Sequence, residues 1–211
     1  MANFNIDARS QQTFDAIVVG TGISGGWAAK ELTEKGLKTL VLDRGKDVKH
    51  IVDYPTTNMQ PWEFEHLGQP SLAIREQNPI ASKHYIFKED AMHFVVKDAH
   101  HPYIQDKPFD WMRGYQVGGR SLLWARQAQR WSDYDFDGPA RDGFAVDWPI
   151  RYADIAPWYS YVEKFAGISG NRDGLPQLPD GEFLPPHELN CVEKHFSSAT
   201  AKNYNNTRPI I

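Results

Sequence analysis

The stretch that decides the fold is Phe14–Leu32, "FDAIVVGTGISGGWAAKEL". An apolar run, Phe14 to Val19, breaks into Gly20, Gly22, Gly25 and Gly26, and a helical pattern follows at once. Ile17, Val18 and Val19 are continuous apolar residues, the pattern of a buried strand. From Ile23 to Lys35, Trp27, Ala28 and Leu32 recur at helical spacing, and Gly36 stands where a helix ends in a left-handed residue. "LKTLVL", Leu37–Leu42, is a second short β-rich run. The three pieces form a strand–helix–strand unit, whose strands are expected to lie parallel with a right-handed crossover.

Gly20, Gly22 and Gly25 spell G-x-G-x-x-G at the strand-to-helix turn. The first glycine permits the tight turn, the second lets a diphosphate reach the backbone, and the third lets helix and strand pack closely. A diphosphate there, beside Ile23 and Ser24, meets the free N–H groups at the positive end of the helix dipole. The same motif calls for an acid about 20 residues further on, to hold ribose hydroxyls, and Asp43 occupies that place. A turn that binds nothing would need none of this context, so a dinucleotide is the expected ligand. Gly26 and "DRG", Asp43–Gly45, lean toward FAD. The acid would repel the 2′-phosphate of NADP, and NAD stays open on these residues alone.

The 211 residues are enough for one or two domains with a sizeable core. A net charge of −4 leaves no basic stripe for phosphate backbones, which argues against nucleic-acid binding. One cysteine, Cys191, excludes an intrachain disulfide and a cysteine-built zinc site. "MANFNIDARSQQ" has no apolar core of a secretory signal, and no run is long enough to span a bilayer.

From Asp43 to about Met112 the periodicity dissolves into long excursions rich in Pro, His and aromatics, with one strand expected at "HFVVK", His93–Lys97. Loops of this length usually serve as lids or contact surfaces. Order returns with "DWPIRYADIAPWYSYVEKFAGISG": Asp154 is the expected N-cap, Ile155, Trp158, Tyr159, Val162 and Ala166 form an apolar face, and Gly167 ends the helix. A Pro-rich traverse, Leu175–Pro186, leads to a last helix over about His187–Tyr204. "TRPII", at the end, reads as the start of a strand.

A second motif, "RGYQVGGRSLLWARQAQRW" (Arg113–Trp131), again places a glycine pair, Gly118-Gly119, where backbone can press against a ligand. Ser121 offers a donor beside it and Trp124 a flat apolar surface. Together with "VVGTGISGG", "GGRSLLW" resembles the glucose–methanol–choline (GMC) family of flavoprotein oxidoreductases. The likeness is closest to its sugar-oxidising branch: pyranose oxidases, gluconate and sorbitol dehydrogenase flavin subunits, and glucoside 3-dehydrogenases. It covers most of Phe14–Gly170 and includes "DWPIRYADIAPWYSYVEKFAGISG".

The resemblance implies an α/β chain: a Rossmann-like FAD-binding domain over 14–150 with inserted loops, after a polar leader at 1–13. The start of an α+β substrate domain would follow over 151–211. It implies that Gly20, Gly22, Ile23, Ser24 and Gly25 hold the diphosphate, that Asp43 holds the adenosine ribose, and that Arg44 and Gly45 flank the adenine. Gly118, Gly119, Ser121 and Trp124 would lie against the isoalloxazine and ribityl end. Asp43 stands where the family usually has glutamate, so its reach is shorter. Leu123 replaces the histidine through which pyranose oxidases attach flavin, so FAD should be held without a covalent bond.

The implied activity is oxidation of a CH–OH group of a sugar, sugar acid or glycoside by hydride transfer to flavin. Members of the family are much longer and carry their catalytic histidine near the C-terminus. This chain is therefore expected to be an N-terminal part, inactive alone, with no catalytic residue nominated among its eight histidines. Flavin subunits of this branch pair with a small subunit and a cytochrome. The expected location is cytoplasmic, or periplasmic by co-export with such a partner. The competing expectations are a complete NAD-dependent Rossmann enzyme and a non-catalytic fragment that works only inside an assembly.

The remaining clusters carry less. His100-His101 lacks a convergent third ligand, so no metal site is expected there. Asp133, Asp135 and Asp137 in "SDYDFDG" miss the spacing of a calcium loop and read as a solvated turn. Cys191 reads as a small core residue.

Overall fold

Two parallel strands carry the glycine turn. β1 (Ala16–Val19) pairs with β2 (Thr39–Leu42) in the register Ala16↔Thr39 to Val19↔Leu42. Helix α1 (Ile23–Glu34) crosses between them, and Gly36 follows it at φ +82°, the left-handed closing residue its position predicts. The expected α/β class, with a parallel βαβ unit of Rossmann type, is what the computed structural model contains. It describes residues 13–205 and 207; nearly all of the polar leader, and the strand expected at "TRPII" apart from Thr207, lie outside the described residues.

The expectation of a fully buried β1 needs correction. Val18 is buried toward α1, but Ile17 and Val19 on the opposite face are 62 % and 81 % exposed, and Leu42 beside Val19 is exposed too. Among the described residues, the sheet is covered on one face only.

The chain divides into two compact units after Ala125. In the first, the excursion beyond β2 builds a small core of its own. Ala81, Phe87 and Val95 are buried there, with Ile74, Ile86, Met92, Met112 and Leu123 packed around them. Helix α2 (Leu72–Gln77), capped by the Ser71 hydroxyl, and several single turns of 3-10 helix supply its walls. The strand expected at His93–Lys97 is absent: Met92–Phe94 form a 3-10 turn, and Val96 N–H donates one isolated bond to the Arg113 carbonyl.

Without a sheet ladder, backbone donors here find side-chain acceptors, as buried N–H groups must. Asp98 accepts from Ile80 and Ala81 N–H at 2.8 and 3.0 Å, and Glu89 accepts from His66 and Gly68 N–H.

The second unit holds α3 (Asp133–Arg141), α4 (Tyr152–Ala166) and α5 (Cys191–Asn203). "SDYDFDG" is not a solvated turn but the start of α3. Ser132 caps it with Asp135 reciprocating, and Phe136 is buried against Trp131 and Trp148. Asp154 is not the N-cap of α4 but its third residue, accepting from Arg151 N–H at 2.8 Å; Gly167 closes the helix at φ +70° as expected. The expected apolar face is also revised. Trp158 is exposed, and the one fully buried residue of α4 is Glu163. Cys191 is exposed on the first turn of α5 rather than in the core.

Glu163 is buried for a reason. Arg130 Nε and Nη2 donate to its two carboxylate oxygens at 2.8 and 2.6 Å, Tyr152 and Ser160 accept two further Arg130 donors, and Glu182 N–H caps the carboxylate at 2.7 Å. Burial alone would raise the Glu163 carboxyl, but Arg130 and the Glu182 N–H outweigh it and hold the group below its ordinary range. Removing one partner of such a pair strands the other charge. Arg130→Met is therefore expected to cost about 3–5 kcal/mol in urea unfolding. A variant as stable as wild type would show that the pair contributes nothing.

Candidate functional site

The glycine turn is fixed from behind. Gly20 adopts φ +93° and its N–H donates to the Leu42 carbonyl at 2.6 Å. A Cβ at Gly25 would sit 2.0 Å from the Gly20 carbonyl oxygen, so the third glycine is required by contact between helix and strand. At Gly22 a Cβ would meet nothing within 4 Å: the backbone there faces open space. Gly22 is the N-cap of α1, which begins with no side-chain cap and no acid in its first turn. The first N–H groups of the helix are thus left for a ligand.

Thr21, between the first two glycines, ties three parts of the sequence together. Its N–H donates to Asp43 Oδ2 at 2.8 Å, its hydroxyl donates to the same oxygen, and that hydroxyl accepts from Gly118 N–H at 2.9 Å. Gly45 N–H adds a bond to Asp43 Oδ1 at 2.6 Å. Desolvation pushes the Asp43 carboxyl upward, but the bonds from Thr21, Gly45 and Arg44 win and keep it below its ordinary value. The second motif is held against the first by the same tie. Gly118 and Gly119 turn at φ +91° and +59°, and a Cβ at Gly119 would come 3.1 Å from Gly22 Cα. Further back, Lys46 pairs with Gln116 through bonds to Tyr115 O and from Val117 N–H.

In front of this junction lies a cleft of about 620 Å³, large enough for a nucleotide-sized ligand. Gly20, Gly22, Ile23, Ser24, Gly25, Ser121 and Trp124, all named by sequence, line it. His84, Tyr85, Ile86 and Arg120 line it too and were not. Among the described residues, Arg120, His84 and Tyr85 are its charged or titratable lining groups. Arg120 shares the glycine-pair motif and could have been read from it; His84 comes from the aperiodic excursion, where no sequence signal marks it.

Asp43, Arg44 and Gly45 do not line this cleft. Asp43 bonds to the back of the turn, Arg44 stacks its guanidinium 3.8 Å from the Tyr115 ring centroid, and Gly45 lies where a Cβ would meet Gln116 backbone at 2.4 Å. The Ser121 hydroxyl donates to the Gly118 carbonyl within its own turn. Leu123 packs on the core around Phe87, anchoring the strip that presents Trp124.

No family model matches the chain. Similar proteins are found among characterised enzymes. The chain is 24 % identical over 198 residues to paromamine 6′-oxidase of Streptomyces fradiae, covering 92 % of this chain and 30 % of that one. It is 26 % identical over 174 residues to the fructose dehydrogenase large subunit of Gluconobacter japonicus, covering 82 % and 29 %. It is 27 % identical over 184 residues to the gluconate 2-dehydrogenase flavoprotein of Pantoea cypripedii, covering 78 % and 27 %.

This chain is similar to GMC-type flavoprotein oxidoreductases. It spans less than a third of the length of each of these relatives. A solved FAD-dependent oxidoreductase from Chaetomium thermophilum aligns with 90 % of this chain and 29 % of its own, at 17 % identity and a TM-score of 0.42. Among the described residues, no helix is long and apolar enough to cross a membrane.

The tie makes a pH-dependent prediction. A carboxyl whose folded pKa is depressed stabilises the fold fully above its unfolded pKa, and the contribution is lost as pH falls through the folded value. The stability gap between wild type and Asp43→Asn is therefore expected to be constant near neutrality and to shrink below about pH 4. Thermal unfolding of both proteins across pH 2.5–7 checks it; a gap independent of pH would remove the charge from the account.

Proposed function

We propose that this chain is the FAD-binding part of a GMC-type oxidoreductase that oxidises a CH–OH group of a sugar, sugar acid or glycoside. The observation that carries the reading is the Asp43–Thr21–Gly118 tie, which holds the end of β2 and the second glycine pair behind the glycine turn, while the turn itself and Ser121 and Trp124 line the cleft. The residues fit an anionic dinucleotide: an open approach at Gly22, an uncapped helix start, and no carboxylate among the lining residues. The relatives' names support the substrate class, since they act on fructose, gluconate and paromamine.

In this role Gly22, Ser24 and Gly25 hold the diphosphate by backbone N–H groups, and Gly20, whose own N–H is spent on the Leu42 carbonyl, sets the turn. Asp43 sets the shape of the turn as well as facing the ribose side, and Trp124 offers its ring as a wall for the flavin. With leucine at position 123, FAD is held without a covalent bond. Bound flavin supplies the hydride acceptor for the carbon that bears the hydroxyl. The chain's own contribution is to bind and orient. Electrons would leave through a partner, and a small subunit with a cytochrome, as in the resemblance drawn above, is the assembly we favour. Co-export with such a subunit would place the protein in the periplasm.

The purified chain should absorb near ~370 and ~450 nm and release free FAD on denaturation. A folded, colourless chain that takes up NAD instead would sink the flavin reading. Gly22→Val is a sharper test. Its Cβ meets no protein atom beyond its chain neighbours within 4 Å, and φ −64° suits any residue, so thermal stability should stay within about 1 kcal/mol of wild type. The same methyl groups block the diphosphate, so flavin retention should fall at least 100-fold, about 2.7 kcal/mol. A variant that still carries stoichiometric FAD would refute the role of Gly22.

A further inference from the structure

Arg120 follows the glycine pair that presses on Gly22 and lines the same cleft as Gly22, where a diphosphate would lie. It is exposed, and among the described residues no carboxylate pairs with it. This sets it apart from Arg130 and Arg151, whose donors are committed to Glu163 and Asp147.

His84 reaches the same cleft from the excursion. Its Nδ1 accepts from Ile86 N–H at 3.3 Å and its ring stacks on Tyr85 with centroids 4.6 Å apart. An imidazole accepting at Nδ1 carries its hydrogen on Nε2, so the ring presents a donor. Burial first, and the charge of Arg120 second, lower its pKa and favour that neutral form. The cleft therefore holds one permanent positive charge, one fixed neutral donor, and no acid to balance them.

We infer that Arg120, aided by the Nε2–H of His84, is a cationic clamp for the diphosphate of the bound dinucleotide, acting alongside the backbone N–H groups of the glycine turn. The inference rests on the dinucleotide reading of the cleft and adds to it two side chains that the glycine motif does not include. Arginine suits the task because its planar fork donates two parallel bonds to phosphate oxygens, and charged hydrogen bonds are the stronger kind.

Calorimetric titration of the full chain with FAD and with ADP tests it. Arg120→Ala is expected to bind both about tenfold more weakly than wild type or worse. Arg120→Lys, which keeps the charge but not the fork, should lose less, and its affinity should fall with salt as wild type's does. His84→Asn, which keeps an acceptor for Ile86 N–H, should lose a few-fold. Unchanged melting temperatures would show that the variants fold. Arg120→Ala that binds FAD and ADP as wild type does overturns the clamp while leaving the dinucleotide reading intact. Wild type that binds ADP but not FAD overturns the flavin reading, and the clamp is then judged on ADP. Wild type that binds neither overturns both.

Discussion

One threonine hydroxyl holds the site together. Thr21 lies between the two glycines that open the turn, donates to the carboxylate at the end of β2, and accepts from the backbone of the second glycine pair. Residues 97 positions apart in the chain are joined by one oxygen. Each bond, taken singly and near solvent, contributes ~1 kcal/mol. Their joint effect is geometric. With Asp43 pinned to the back of the turn, the turn cannot relax, and with Gly118 pinned to Thr21, Gly119 is held against Gly22. The cleft keeps its shape because its rim is made of backbone in contact with backbone.

That arrangement explains why glycine is needed at some positions and merely useful at others. Gly25 and Gly45 are obligatory by contact, since a Cβ would overlap backbone at 2.0 and 2.4 Å. Gly118 and Gly119 are favoured by dihedral angle. Gly22 is neither crowded by protein atoms nor strained. A glycine that the fold does not require, at the start of an uncapped helix, points to a constraint supplied by a ligand.

The parts of the fold legible in sequence were those with local signals. The βαβ unit shows in apolar runs, glycine spacing and a terminal acid, and the structure follows it closely. Gly36 and Gly167 end their helices where the pattern places them. The failures have physical causes. "HFVVK" has the composition of a strand, but among the described residues no strand pairs with it, and Val95 serves a local core instead. "SDYDFDG" has the composition of a loop, but Ser132 and Asp135 cap each other and Phe136 supplies the buried anchor, so tertiary packing makes it a helix. Glu163 sits where the α4 pattern asks for an apolar residue, because Arg130 arrives from 33 residues away to meet it. In the site, glycine positions could be read and the histidine could not, since His84 is delivered by an excursion with no period.

The chemistry of the lining residues sets a division of labour. Oxidising an alcohol by hydride transfer needs a group to take the hydroxyl proton as the hydride leaves. Arg120 cannot accept a proton, and the Nδ1 lone pair of His84 is spent on Ile86 N–H. Tyr85 and Ser121 are weak bases, and the Ser121 hydroxyl already donates within its own turn. What Arg120 and His84 share is donors suited to negative charge, with an aromatic wall in Trp124 beside them. A cleft so built captures and orients an anionic cofactor. On the proposed oxidoreductase reading, proton abstraction falls to a residue that does not line it.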